Sequence, residues 1–300
     1  MNMTMRPRPG QVEGEAFRSG AAPEKSVVIG AARTWGALFS MAAADLRDTF
    51  KLWPLVWTLA VLDIRLRYRG SILGPFWLTL STAVMVGAMG FIYSRLFHTN
   101  TATYLPFLSL SLVLWNFINT LTTEGCTCFT MSESVIRAMR MPLSLHAARV
   151  VVRNILVLGH NIVVIAVVFI VMKKVPGPMS AAIVPAFMLW LVDAIAVSIL
   201  LGAFCARFRD VPPIVASLMQ IVFFISPILW SPAVLAHRGI GVYLINWNPF
   251  YALLEIVRGP LLGTHMALQT WGVALGYSAL LFCISTVTFA LARARIAYWV

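Results

Sequence analysis

The chain has 300 residues, 60% of them hydrophobic and 11% charged, a balance that excludes an ordinary soluble domain and points to a polytopic helical membrane protein. The formal charge is +12, yet the basic residues gather at the ends of apolar runs. Topology and lipid headgroups account for that placement, and no nucleic-acid-reading motif accompanies it. Weak period-two alternation argues against an outer-membrane barrel.

Residues 1–33 mix Pro, Gly, Arg and Glu, with Val27–Ile29 as a brief apolar patch. No signal-peptide core is present, and a disordered cytoplasmic tail is expected. Residues 34–70 predict helices at the membrane interface. Trp35–Phe50 places Trp35, Leu38, Phe39, Ala42 and Leu46 on one helical face. Leu52–Leu62 is too short to cross a bilayer, and its two tryptophans and basic flank fit an interfacial helix. Asp63–Trp77 reads DIRLRYRGSILGPFW, with Arg65, Arg67 and Arg69 at alternate positions. A run of 25 residues without Asp, Glu, Lys or Arg then extends from Gly70 to Ser94. As a helix it would be about 37 Å long, more than the apolar core of a bilayer. An ordinary membrane helix with a basic flank carries the same pattern.

Residues 71–300 predict a transmembrane domain of six spans, near Ile72–Phe97, Tyr104–Thr127, Val150–Met172, Ala181–Ala206, Ile214–Ala236 and Ala267–Ala292. The ends assigned to the inside hold Arg65, Arg67, Arg69, Arg137, Arg140, Arg149, Arg153, Arg207, Arg209, Arg293 and Arg295. The outside holds only Arg95, Lys173, Lys174, Arg238 and Arg258, so both termini are expected in the cytoplasm. The inside connection Met131–Arg149 carries Glu133, Arg137, Arg140 and Pro142, enough for a short helix across the membrane face. The outside stretch His237–Met266 is as apolar as a span but is divided by Pro249 and Pro260 and holds Glu255 and Arg258. A pair of re-entrant half-helices between spans five and six is expected there.

No chemistry-bearing cluster stands out, and no catalytic, cofactor or metal site is expected in this chain. The histidines His98, His146, His160, His237 and His265 are scattered, and Cys126, Cys128, Cys205 and Cys283 suit small buried apolar roles. No G-x-x-x-x-G-K-[ST] occurs, so driven transport would take its energy from a partner. Asp193, near the middle of span four, costs about 2.5–3.5 kcal/mol at mid-bilayer and needs a partner. His160, Ser198 and a neighbouring subunit are candidates, and a proton-coupled role is open. Phe76, Trp77, Trp115, Phe117, Phe223, Phe224 and Trp230 fall within spans. Gln220, Phe223, Phe224 and Trp230 occupy neighbouring faces of span five, which Pro227 is expected to bend. Aromatic faces with polar neighbours suit sugar rings, although lipid-facing packing explains such residues equally.

An interfacial helix ending in DIRLRYRGSILGPFW and followed by six spans resembles the permease subunit of ABC type-2 exporters of polysaccharides, the O-antigen, capsule and teichoic-acid transporters. The resemblance covers roughly Asp45 to Arg295. ESVIRAMRMPLSLHAARVVVRN is similar to the family's coupling helix, although Met141 precedes Pro142 where an aromatic or aliphatic residue is commoner. RDVPPIVASLMQIVFFISPILW is similar to its span-five entry, and NWNPFYALLEIVRGPLLG to its outer gate. The resemblance implies a homodimer in a bacterial cytoplasmic (inner) membrane, bound to two separately encoded ATP-binding subunits that hold ATP and Mg. Those subunits would act through Arg65, Arg67, Arg69, Arg137, Arg140 and Pro142. A polyprenyl-linked glycan would pass between the protomers along Phe76, Trp77, Trp115, Gln220, Phe223, Phe224 and Trp230. Asn248, Pro249, Glu255 and Arg258 would form the outer gate. Membrane lipids are the remaining partner implied, and nucleic acid is not. A permease for lipids or drugs would share this topology. A proton-coupled transporter would need inverted repeats and more intramembrane carboxylates.

Overall fold

The computed structural model describes residues 34–74, 76–232, 245–264 and 267–300, so the expected 1–33 tail lies outside the described residues. Those residues form α-helices joined by short connections and two 3-10 turns, with no strand among them. The helices are α1 (Trp35–Lys51), α2 (Trp53–Arg67), α3 (Phe76–Leu96), α4 (Thr101–Cys126) and α5 (Glu133–Ala138). They continue with α6 (Ser144–Val171), α7 (Ile183–Arg207), α8 (Val211–Ile225), α9 (Pro249–Leu262) and α10 (Leu268–Trp299). Five are long and apolar enough to cross a membrane: α3, α4, α6, α7 with its preceding turn, and α10. The chain is therefore an all-α polytopic membrane protein.

The helix starts and stops follow from local chemistry. The uncharged run after the arginines does not become helical until Phe76, because Gly70 (φ 85°) and Gly74 (φ 54°) take left-handed conformations that turn the chain. Asn100 opens α4, its Oδ1 accepting from the Ala102 amide at 2.9 Å. The helix expected over Ile214–Ala236 ends instead at Ile225, after 15 residues. Its end residue Ser226 has ψ 145°, because the ring of Pro227 disfavours the α region at the preceding position. Proline thus terminates the helix where a bend was expected. At about 22 Å, α8 is shorter than an apolar core of about 30 Å. Residues 233–236 of that expected span lie outside the described residues.

In the outer stretch a proline has the opposite outcome. Of the two expected half-helices, residues 237–244 and 265–266 fall outside the described residues. The remainder forms α9, with Pro249 at its start and Pro260 inside it. Pro260 lies in the last turn and does not break the helix, which closes at Gly263 with φ 74°.

The core is organised around α4, which packs on α3, α6, α7, α8 and α9. Leu108, Leu112, Val113, Trp115, Phe117 and Leu121 are buried along it. Its last turn meets α7 closely. A Cβ at Gly125 would come within 3.1 Å of Ser198 Cα, and one at Gly202 would come within 3.1 Å of the Phe129 ring. By contrast, α3 buries only Val86, Gly90 and Ser94, and α8 buries only Met219.

Two helices close the end of the bundle that carries the arginines. α2 lays Val56 and Ala60 on Leu145, Ala148 and Val152 of α6, with Ile64 buried on the same helical face. Trp53, Trp57, Leu62 and Leu66 remain exposed on its other side. α1 sends Asp45 into the bundle, where the residue is only 2% exposed. Its Oδ1 accepts from the Ser144 amide at 2.9 Å and the Ser144 hydroxyl at 2.6 Å. Its Oδ2 accepts from the Leu143 amide at 3.1 Å and Arg293 Nε at 2.9 Å. One carboxylate thereby caps α6 from another helix and ties α10 to both.

Asp45→Ala leaves the α6 amides uncapped and Arg293 without its ion pair. The expected cost is about 2–4 kcal/mol, read as a lower thermal midpoint of the purified chain in detergent. An unchanged midpoint would show that α1 does not hold this end.

Candidate functional site

The knuckle arginines divide into two sets. Arg67 turns inward, donating through Nη2 to Glu124 Oε1 at 2.7 Å. Glu124, in the last turn of α4, also accepts from Arg153 Nη2 at 2.8 Å and Asn154 Nδ2 at 2.8 Å. Arg153 reaches Asp63 Oδ2 through Nη1 at 2.9 Å, and Arg149 forms a two-pronged pair with the same carboxylate. Three guanidiniums and two carboxylates thus join α2, α4 and α6. Arg65 and Arg69 are exposed beside this cluster.

In the 131–146 connection, Thr130–Ser132 forms a 3-10 turn that leads into α5. Arg137 on α5 is half occupied within the chain. It pairs with Glu133 at 2.9 Å, and its Nε and Nη2 donate to the Val300 carbonyl. Arg140 is exposed, and Pro142 precedes α6. All five arginines are exposed, but Arg67 and Arg137 are engaged by partners within the chain.

The expected aromatic line splits into an inner set and an outer set. Trp115 is buried, with its ring centroid 5.9 Å from both Phe223 and Phe250. Trp230 is half-buried at the edge of the same core. Phe224 is 64% exposed on α8, and Phe76 and Trp77 are exposed on α3. Gln220 is also exposed, one turn before Phe224 on the same α8 face. The helix ends at Ile225, so Trp230 does not share that face.

At the far end, α9 is fastened to the segment that follows α8. Asn248 Oδ1 caps α9 by accepting from the Phe250 and Tyr251 amides at 2.9 and 3.2 Å, and its Nδ2 donates to Ser226 Oγ at 3.0 Å. Pro249 takes the first helical turn, where no amide donor is needed. Arg258 is 1% exposed, donating to Glu255 Oε2 at 3.0 Å, Ser111 Oγ at 2.7 Å and the Pro227 carbonyl at 2.8 Å. Its Cζ lies 4.4 Å from the Phe107 ring centroid. Asn248 and the Glu255–Arg258 pair thus tie the two ends of α9 to neighbouring residues of the segment that follows α8, Ser226 and Pro227.

Sequence reasoning missed Asp45, Asp63 and Glu124 as organising groups. The available signal was scarcity: with 11 acids against 23 Lys and Arg, an acid beside an apolar run needs explanation. The partner of Asp193 also differs from expectation. Ser278 Oγ donates to its Oδ2 at 2.7 Å, while the His160 ring bonds the Leu156 carbonyl and meets Phe76 edge-on. Ser198 Oγ has no hydrogen-bond partner.

Burial raises the Asp63 pKa, but the bond from Arg149 and the charges of Arg149 and Arg153 outweigh it and hold the carboxyl below the usual aspartate value. A depressed pKa contributes stability above the unfolded value, lost as pH falls through the folded one. Docking of α2 should therefore be constant from about pH 8 to 5 and weaken only below the ordinary carboxylate range. Asp63→Ala should loosen α2 by about 1–3 kcal/mol and increase proteolysis between residues 65 and 75 at neutral pH. Cleavage equal to that of the unaltered chain would separate Asp63 from α2 docking.

A family model for the ABC-2 type transporter matches residues 54–262, from α2 through α9. The O-antigen export system permease protein RfbA of Myxococcus xanthus is 22% identical over 212 residues, covering 69% of this chain and 80% of that protein. The protein of the same description from Klebsiella pneumoniae is 22% identical over 193 residues, covering 64% of this chain and 74% of that protein. The family match takes in the arginine-bearing α2, the α4–α6 ion-pair cluster and the Asn248–Arg258 assembly. With that match spanning more than half of its length, the chain belongs to the ABC-2 type transporter family and is a membrane permease.

Proposed function

We infer that the chain is the permease subunit of an ATP-driven exporter that moves a polyprenyl-linked polysaccharide, O-antigen-like or capsular, out across a bacterial inner membrane. Two copies form the path, and two separate ATP-binding subunits supply the energy, with ATP and Mg bound on them. Both termini face the cytoplasm, α8 with its continuation serves as the sixth crossing, and α2 lies in the membrane interface. Arg65, Arg69 and Arg140 meet the ATP-binding subunits. Arg67 and Arg137 hold those docking elements to the bundle. Asn248, Pro249, Glu255 and Arg258 close the outer end. The likeness to two O-antigen export permeases supports a glycan as the exported substance.

The observation that carries this reading is the exposed face of α8. Ile214, Leu218, Ile221 and Ile225 form an exposed apolar stripe on that helix, and the amide of Gln220 lies exposed beside Phe224 on a neighbouring face. An amide facing lipid leaves its hydrogen-bonding groups unmet, which is costly. Facing a hydrated path, it offers a sugar hydroxyl a partner, while Phe224 offers a ring face. Exposed Phe76 and Trp77 on α3 extend the same kind of surface. Phe223 and Trp115 support it from behind, so their truncation would damage packing as well as transport.

Gln220→Leu with Phe224→Ala is expected to lower surface delivery of long glycan at least tenfold while the chain is made and inserted normally. Glycan retained on its lipid carrier inside the cell gives the readout. Unchanged surface glycan in the double variant would remove α8 from the path. Unchanged surface glycan in cells lacking the chain would overturn the exporter assignment.

A further inference from the structure

An open groove of about 440 Å³ runs along the second half of α6, at the end of the bundle away from the Glu124 cluster. Ile162, Ile165, Phe169 and Ile170 of α6 and Leu261 of α9 give it apolar walls, and Lys173 and Lys174 stand at its end. Ile162 and Ile170 are exposed, so the groove opens to whatever surrounds the bundle. From Ile162 to Met172 the helix covers about 15 Å, half of an apolar core of about 30 Å, which is the depth of one lipid leaflet. The way α6 closes fixes the backbone of both lysines. The Lys174 amide donates to the Phe169 carbonyl at 2.9 Å and the Lys173 amide to the Ile170 carbonyl at 3.1 Å. These are the paired bonds of a helix ended by a left-handed residue, and that residue is Lys173, with φ 52°, where glycine is the usual choice. Lys174 also lines a second cavity of about 320 Å³, together with Thr99, Thr103 and Thr264. Thr103 and Thr264 donate to the Asn100 and Gly259 carbonyls, so each hydroxyl oxygen can still accept.

The chain offers these lysines no acid at this end. Residues 97–103, 172–182 and 226–267 contain only Glu255, which is bonded to Arg258. A second copy seated on the groove would bring the same shortage, adding more cation than anion. A glycan has no apolar body to fill the walls. The occupant that answers both features carries an anion at one end and an apolar chain one leaflet deep, with the cations where the chain meets the headgroups.

We propose that this groove binds an anionic phospholipid with a hydroxylated headgroup, of the phosphatidylglycerol kind. One acyl chain lies along Ile162–Ile170, the phosphate meets Lys173 and Lys174, and the head hydroxyls donate to Thr103 and Thr264. The site requires only that α6 span a membrane and does not depend on the glycan assignment. A lipid held there touches α6, the start of α4 and the end of α9, so headgroup charge bears on where α9 rests.

The test uses the full-length chain in phosphatidylcholine nanodiscs doped with phosphatidylglycerol or phosphatidylcholine bearing the same diazirine-containing tail. Cross-links are mapped by mass spectrometry, so that only residues 162–170 are counted and basic sites elsewhere do not contribute. With two lysines at the headgroup, labelling there by phosphatidylglycerol should exceed labelling by phosphatidylcholine at least tenfold. Lys173→Gln with Lys174→Gln should make the two equal, and Ala166→Trp should suppress both by filling the groove. Glycerol phosphate in molar excess should leave the labelling unchanged, because it has no tail. Equal labelling by the two lipids in the unaltered chain would overturn the proposal, and this comparison decides it even if a variant fails to fold. Loss of labelling to glycerol phosphate would make the lysines a free-phosphate site and overturn it. A phosphatidylglycerol excess that survives in the folded double variant would overturn it equally.

Discussion

At the arginine-bearing end of the molecule, Asp45, Asp63 and Glu124 each stand where a second helix meets them, and that end depends on the condition. An unpaired charge taken out of water costs several kcal/mol, so a buried acid must bring its partners together or titrate. Asp45 draws α1, α6 and α10 together, while Asp63 and Glu124 draw α2, α4 and α6 together. The apolar contact of Val56 and Ala60 with α6 holds α2 on the bundle without fixing its angle. Directional guanidinium–carboxylate pairs add that angle, because each fork accepts a narrow range of approach. These pairs consequently tie α2 to two spanning helices at once.

The far end is tied by a different chemistry with the same logic. α8 ends at Ile225, leaving a turning, non-helical segment whose backbone groups still need partners inside the protein. Arg258 meets the Pro227 carbonyl, Asn248 meets Ser226 Oγ, and Tyr104 OH donates to the Leu229 carbonyl at 2.6 Å. The interruption that Pro227 imposes on α8 is thus answered by side chains from α9 and α4. Because α9 is held both at its cap and at Arg258, a displacement of the α8 end carries α9 with it. Between these two ends α4 is the common element, supplying Glu124 to one and Ser111 to the other.

Local pattern made much of this legible. Helical spacing put Trp35, Leu38, Phe39, Ala42 and Leu46 on one face of α1; the last four contribute to the apolar cluster with Phe289 and Ile296 of α10, whereas Trp35, at the helix start, is 61% exposed. Long charge-poor runs located the spanning helices, because lipid forces backbone bonding into the helix itself. The cap of α6 was not legible, since the residue that provides it stands 98 positions before Leu143. Nor was the fate of Pro227, because a proline within an apolar run can kink or end a helix depending on what meets the freed groups. Arg258 and its partners were marked by sequence as a gate, but their burial and their hold on Pro227 are tertiary facts. The aromatic residues of span five could be placed on helical faces only as far as the helix continues, and it stops before Trp230.

The central claim of the proposed coupling is that Glu124 links α2 to the spanning helices, since its carboxylate joins Arg67 of α2 to Arg153 and Asn154 of α6. The most direct test is the Glu124→Gln permease assembled with its ATP-binding subunits in liposomes, with ATP hydrolysis and glycan translocation measured together. The account predicts that hydrolysis continues while glycan moved per ATP falls at least tenfold. Translocation per ATP equal to that of the unaltered complex would contradict it.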